Sequence, residues 1–140
     1  MTEDCIFCRI VEGEIPARVV YEDEETLAFL DANPLAPGHT LVIPKRHYET
    51  LGETPTEPGE MAFAAVHLLT PLIEDAVDAD ATTVAINNGE AAGQEVPHLH
   101  VHIVPRFDGD GGGPIHAIAG DSPDLSEDEL DDIAERIAPN

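Results

Sequence analysis

Basic residues are scarce in this chain. Six lysines and arginines stand against 29 aspartates and glutamates in 140 residues, a formal charge of −23. That balance excludes a nucleic-acid polymer as partner, because such binding needs a basic stripe to meet the phosphate backbone. No apolar run approaches the ~20 residues of a membrane-spanning helix, so no membrane partner is expected. Internal repeats are absent. The start, Met1-Thr2-Glu3-Asp4, lacks the basic head of a signal peptide, and a cytoplasmic protein is expected. With two cysteines in the whole chain, a disulfide framework is not expected in a reducing cytosol.

What is present is a globular composition, 42% hydrophobic, in a chain long enough for one compact domain with its own core. The acids are spread over loops and helices rather than gathered in one tail. A uniformly acidic surface keeps a protein hydrated in concentrated salt, so a halophilic source is expected. Such a protein still binds phosphate. At molar salt the Debye length is ~3 Å, and local donors decide.

Periodicity outlines the elements. Cys5 to Val11 reads as a turn leading into a short helix. Arg18 to Tyr21 and Thr26 to Leu30 read as a hairpin with Glu22-Asp23-Glu24-Glu25 as its turn. Asn33-Pro34 and Pro37-Gly38 mark a loop before a third strand, Thr40 to Ile43. Glu57 to Ala76 reads as the main helix, capped by Thr56, with Met61, Ala65, Leu68, Leu72 and Ala76 at helical spacing and Pro71 as a kink. Thr83 to Asn87 is a fourth strand. Ser126 and Glu129 form a capping-box pattern for a C-terminal helix through Ile137. The expected class is α+β, a mostly antiparallel five-stranded sheet with a main packed helix and a C-terminal helix.

The segment His98-Leu99-His100-Val101-His102-Ile103-Val104 points to chemistry. A strand puts alternate residues on one face, so three imidazoles share a face while Leu99, Val101 and Ile103 enter a core. A core does not need three histidines. Near neutral pH they serve as nucleophile, proton donor or metal ligand. Cys5-x-x-Cys8 is open between a redox pair, half a zinc site and coincidence. Zinc needs two further ligands, and His47 and His98 are available. The glycine-containing loop at Gly93-Gln94 lets a backbone approach a phosphate closely.

These motifs resemble the histidine-triad (HIT) family of nucleotide hydrolases and transferases. Residues 98–104 match its His-φ-His-φ-His-φ-φ signature in full. Cys5-Ile6-Phe7-Cys8-Arg9-Ile10, Leu27-Ala28-Phe29-Leu30-Asp31, Pro37-Gly38-His39-Thr40-Leu41-Val42-Ile43-Pro44-Lys45 and Ala92-Gly93-Gln94 extend the likeness, in order, from residue 5 to residue 107. The resemblance implies a HIT domain over residues 1–107. Residues 108–140 would be an acidic C-terminal extension with a helix packed on the same domain.

The resemblance also implies roles. His100 would attack the α-phosphorus and carry the nucleotide. His102 would bond the phosphate or assist the leaving group, supported by His39. Phe7, Ile10, Phe29 and Leu41 would line the base pocket, Asp31 would hold the ribose, and Asn87, Gly93, Gln94 and Glu95 would face the phosphate. Glu95 departs from the small hydroxyl residue that many relatives carry. In the two-cysteine branch, Cys5, Cys8, His47 and His98 would bind a structural Zn2+. A purine nucleotide substrate and a homodimer are expected. The substrate would be a dinucleoside polyphosphate or a nucleoside phosphoramidate, with Arg106 and the Ala92-Gly93-Gln94 loop favouring the first. A nucleotide-binding sensor or scaffold with incidental hydrolysis is the alternative, and a zinc-organised interaction domain is a third reading.

Overall fold

A computed structural model of the chain describes residues 4–139. The Met1-Thr2-Glu3 start, read above for its lack of a basic head, lies outside the described residues. The chain divides into two compact units, one ending at Asp110 and one starting at Gly111. In the first unit the order is α1 (Ile6–Val11), β1 (Val19–Glu22), β2 (Thr26–Leu30), β3 (Thr40–Pro44), α2 (Thr56–Val77), β4 (Ala81–Ala85) and β5 (Val101–Arg106). The strands form one five-stranded sheet, β1-β2-β3-β5-β4, with every neighbour antiparallel. The fold is α+β, as expected. No helix among the described residues is long and apolar enough to cross a membrane.

Alternation along the strands builds two cores. Ala28, Val42, Val101 and Ile103 pack against Ala62, Ala65, Val66, Leu69 and Ile73 of α2. Leu27, Phe29, Leu41 and Ile43 point the other way and pack against Cys5, Phe7 and Cys8 around α1. Both faces of β2 and β3 are therefore dry. The β1–β2 turn is set by Asp23, whose Oδ1 accepts from the backbone of Glu25 at 2.9 Å and Thr26 at 2.8 Å. Gly38 turns the chain into β3 at φ +88°, where a Cβ would lie 3.0 Å from Val77 Cγ1 and 3.2 Å from Pro105 Cγ. Only glycine meets both demands.

Four expectations change. The fourth strand runs Ala81–Ala85, two residues earlier than the expected Thr83 to Asn87, and ends before Asn87. The main helix begins at Thr56 with Pro55 as N-cap and no side-chain cap, so Thr56 is its first residue rather than its cap. Its buried stripe is Ala62, Ala65, Val66, Leu69 and Ile73, while Leu68 and Leu72 are exposed. The helix carries apolar residues nearly all round, so spacing alone gives it no unique phase, and contact with the sheet selects one. The histidine strand starts at Val101, not His98. The stretch before it is held instead by Leu99 N–H donating to Tyr48 O at 2.7 Å and His98 Nε2–H donating to Pro44 O at 2.8 Å.

The second unit carries α3 (Glu127–Ile137). Its capping box is formed: Ser126 Oγ accepts from Glu129 N–H at 3.1 Å, and Ser126 N–H donates to Glu129 Oε1 at 2.8 Å.

Candidate active site and metal centre

The sheet face that carries α1 also carries the histidines. The register pairs Leu41 with His102, and Phe29 with Leu41. One step beyond β2, Asp31 N–H donates to His39 O at 2.9 Å, which brings the Asp31 and His39 side chains onto that face. Phe7 meets His100 edge-on at 5.1 Å between ring centroids and Phe29 at 5.6 Å. Phe7, Phe29 and Leu41 are buried in one cluster, with Ile10 packed against it.

Hydrogen bonding decides where each ring proton sits. A carbonyl oxygen only accepts. His100 Nδ1 lies 2.7 Å from His98 O, so Nδ1 is the donor, and in the neutral ring the lone pair is on Nε2. Leu35 N–H donates to His39 Nδ1 at 3.0 Å, which puts the His39 proton on Nε2. That proton is donated to His102 Nδ1, 3.0 Å away. His102 therefore carries its proton on Nε2, a shielded atom without a partner among the described residues. Asp31 Oδ2 stands 3.7 Å from His39 Nε2. Burial pushes His39 below its usual value. Burial, then the neighbouring His100 and His39, push His102 down to about 4, while Asp31 opposes the shift.

A second cluster gathers Cys5, Cys8, His47 and His98, whose ligand atoms all lie within 4.8 Å of one another. Cys5 Sγ is 3.2 Å from His98 Nδ1, and Cys8 Sγ is 3.3 Å from His47 Nδ1 and 3.5 Å from His98 Nδ1. A tetrahedral zinc with Zn–S of ~2.3 Å and Zn–N of ~2.0 Å separates sulfur from nitrogen by about 3.5 Å. Because His98 Nε2–H is donated to Pro44 O, Nδ1 turns its lone pair toward the thiols. Both cysteines are free. Burial, then the Cys5 thiol beside it, push the Cys8 thiol up to about 12, and a divalent cation among these donors reverses that balance. The donor set fits zinc.

The phosphate-side residues behave differently from one another. Asn87 lies exposed just beyond β4. The β4–β5 register, in which Ala85 faces His102, leads Asn87 toward His100. Gly93 has φ +96° and open space at its Cβ position, and Glu95 is exposed. The Gln94 side chain is already engaged. Its Oε1 accepts from Gly89 N–H at 2.7 Å, and its Nε2 donates to Glu49 O at 2.8 Å and Val96 O at 2.9 Å. It shapes the loop rather than reaching for a ligand. Arg106 is committed too, through Nε and Nη2 to Asp110 at 2.8 and 3.1 Å and through Nη1 to Thr83 Oγ1 at 3.1 Å. The expectation that Arg106 favours a polyphosphate loses its basis, because the guanidinium's charge is met within the fold.

The HIT domain family matches residues 12–109. The chain belongs to the HIT family. It is 44% identical over 110 residues to an adenylylsulfatase of Arabidopsis thaliana, covering 79% of this chain and 56% of that one. The crystal structure of a HIT family protein from Bacillus subtilis superposes with a TM-score of 0.86 at 42% identity, covering 96% of this chain and 95% of that one. A zinc-bound histidine triad family protein from Mycobacterium smegmatis gives 0.72 at 36% identity, covering 97% and 99%.

Within this HIT domain, sequence reasoning missed Leu35. Its side chain is 77% exposed, and its part in the site is a backbone amide, which carries no residue-type signal. The only available sign was the loop marked by Pro34 and Pro37-Gly38 immediately before His39.

Proposed function

We propose that this HIT protein is a nucleotidyl hydrolase acting at the α-phosphate through a covalent nucleotidyl-histidine on His100. The carrying observation is the bond from His100 Nδ1–H to His98 O. It leaves Nε2 as an unprotonated nucleophile beside the Nε2–H donor of His102. Nε2 forms a bond to phosphorus, and the electron pair of the breaking bond departs with the leaving group. Water then adds to phosphorus, the N–P pair returns to Nε2, and the water proton passes to solvent. Phe7, Ile10, Phe29 and Leu41 border the base, and Asn87, the Gly93 backbone and Glu95 border the phosphate. Zinc held by Cys5, Cys8, His47 and His98 would have four protein donors and no open position, so its contribution is structural.

The substrates proposed are nucleoside phosphoramidates and dinucleoside polyphosphates, and the adenylylsulfatase relative adds nucleoside phosphosulfates. A panel of adenosine and guanosine compounds of these classes, assayed in high salt with capture of nucleotide-labelled protein, tests the reading. Turnover without label on His100 overturns it.

Asp31 is assigned to the ribose. Its carboxylate is about one-fifth exposed, and an acceptor left unpaired there costs ~1–3 kcal/mol. Asp31→Ala is expected to weaken ribonucleotides about tenfold and to narrow their advantage over 2′-deoxy analogues. Equal loss for both sugars assigns Asp31 to His39 alone.

A homodimer is proposed from apolar surface on α2, where Phe63, Leu68 and Leu72 are exposed, together with the edge strand β4, where Val84 is exposed. Light scattering in high salt is expected to give twice 15.0 kDa, and a monomer mass contradicts it.

The charge of −23 is read as halophilic. Self-repulsion grows as the Debye length rises from ~3 Å at about 1 M salt to ~10 Å at about 0.1 M. Tm is expected to fall as salt is diluted, and an unchanged or higher Tm refutes the reading.

A further inference from the structure

The loop that leads from β4 toward the histidines contains a chemically labile step. Of the four asparagines in the chain, only Asn88 precedes a glycine. Asn33 precedes Pro34, whose nitrogen carries no proton, and Asn87 precedes Asn88, whose side chain crowds the backbone nitrogen. The backbone itself demands the glycine. Gly89 has φ +102° with nothing within 4 Å of its Cβ position, so conformation rather than crowding selects it. Its carbonyl accepts from Ala92 N–H at 3.1 Å and Gln94 N–H at 3.2 Å, which closes the loop. The fold thus sets an exposed asparagine before an unhindered backbone nitrogen.

Two hydrogen bonds tie the side-chain carbonyl and that nitrogen to different partners. Asn88 Oδ1 accepts from Leu51 N–H at 2.8 Å, and Gly89 N–H donates to Gln94 Oε1 at 2.7 Å. Gln94 is itself fixed, because its Nε2 donates to Glu49 O at 2.8 Å and to Val96 O at 2.9 Å. Its carbonyl oxygen is therefore held in place on the Gly89 amide.

We propose that Asn88–Gly89 is a deamidation site of the folded protein, restrained by the Gln94 side chain. The Gly89 nitrogen gives its proton to solvent and bonds to Asn88 Cγ. The Cγ–Nδ2 bond breaks, and Nδ2 leaves as ammonia with a proton taken from water. Water then opens the cyclic imide at either carbonyl, leaving aspartate or isoaspartate. Overall one water enters and one ammonia departs. Ring closure needs the Gly89 nitrogen stripped of its proton and turned toward Cγ, so the bond to Gln94 must break first. Both products carry a carboxylate where the amide stood. Isoaspartate also inserts a methylene into the backbone before Gly89 and moves that residue away from Gln94. Asn88 adjoins Asn87 and opens the loop that ends at Gly93. The consequence for ligand rests on the nucleotidyl-hydrolase reading: the added charge stands on the phosphate side and opposes an anionic nucleotide.

The whole protein is incubated in high salt, and peptide mass spectrometry reads amide loss at Asn88. Folded wild type is expected to react about tenfold more slowly than the same protein unfolded in guanidinium chloride. Folded Gln94→Ala is expected to recover most of that factor. Equal rates in folded and unfolded wild type overturn the restraint. No reaction in folded wild type after the unfolded protein has fully converted overturns the site. A folded Gln94→Ala protein that reacts at the wild-type rate overturns the part given to Gln94. If that variant does not fold, hydrogen exchange of the wild-type Gly89 amide decides, and exchange as fast as in the unfolded chain overturns the restraint. None of these measurements involves nucleotide.

Asn88→Asp tests the consequence. It adds the charge alone, because a carboxylate still accepts from Leu51 N–H, and it is expected to weaken adenosine 5′-monophosphate by about threefold or more. Unchanged affinity overturns the effect on nucleotide and leaves the modification standing. No binding of the nucleotide by wild type overturns the hydrolase reading instead.

Discussion

His100→Ala is expected to lower kcat by about 10⁴-fold or more while leaving the fold and nucleotide binding in place. The magnitude follows from the two-step route, in which no other group forms the bond to phosphorus, and removal of a nucleophile commonly costs several orders of magnitude. Binding survives because the apolar cluster of Phe7, Phe29 and Leu41 is assembled by the strands and α1. The lost contact with the Phe7 ring, 5.1 Å from His100 between centroids, lies at the end of that cluster. Circular dichroism and nucleotide titration check that the variant is intact, and single-turnover assays read the rate. Near-normal turnover would refute the covalent mechanism, and with it the reading of the His98 carbonyl as the group that sets the nucleophile's tautomer.

Zinc removal is the second large effect. Protein purified without added metal is expected to contain one zinc per chain, and chelation or Cys8→Ser to lower Tm by about 10 °C or more. The four donors come from residues up to 93 positions apart in sequence, so a zinc ion held there would join α1 to the His47 turn and to the segment before β5. Without it, two buried thiols and two imidazoles must share the space. The effect is expected to reach the site through two links. Leu99 N–H donates to Tyr48 O beside His47, and His98 O accepts a hydrogen bond from His100 Nδ1–H. Elemental analysis and calorimetry make the measurement. Protein free of zinc, with Cys5 and Cys8 joined as a disulfide, would overturn the assignment.

Much of the fold was legible because it is local. Short continuous apolar runs bounded by turn residues in Thr26–Leu30 and Thr40–Pro44 mark strands buried on both faces. Ser126 and Glu129 satisfy each other's backbone groups within one turn, and the capping box was read directly. The α2 stripe was misread because alanine and leucine occupy several faces of that helix. The extra apolar face, Leu68 and Leu72 among it, is exposed, so hydrophobic spacing marked a surface as readily as a core. His98–Val104 looks like one strand by alternation, yet the ladder begins only at Val101. The earlier half is bonded through a side chain and a turn, and alternation carries no signal for that.

The sequence by itself determined the inventory: the strands and helices, the acidic surface, the histidine row, the cysteine pair and the likeness to the HIT family. Residue types and short spacings suffice for these, because each is a property of neighbours along the chain. Tertiary structure alone decided what each group is free to do. It turned the Arg106 guanidinium to Asp110 and Thr83, tied the Gln94 amide to the Gly89 and Glu49 backbone, and brought the four zinc-type donors together. It also set the protons on His39, His100 and His102 through the Leu35 amide and the His98 carbonyl. The physical reason is that a ring's tautomer, or an ion's partner, depends on which donor or acceptor lies within about 3 Å. For these groups the deciding atom belongs either to a distant part of the chain or to a backbone whose side chain says nothing about it.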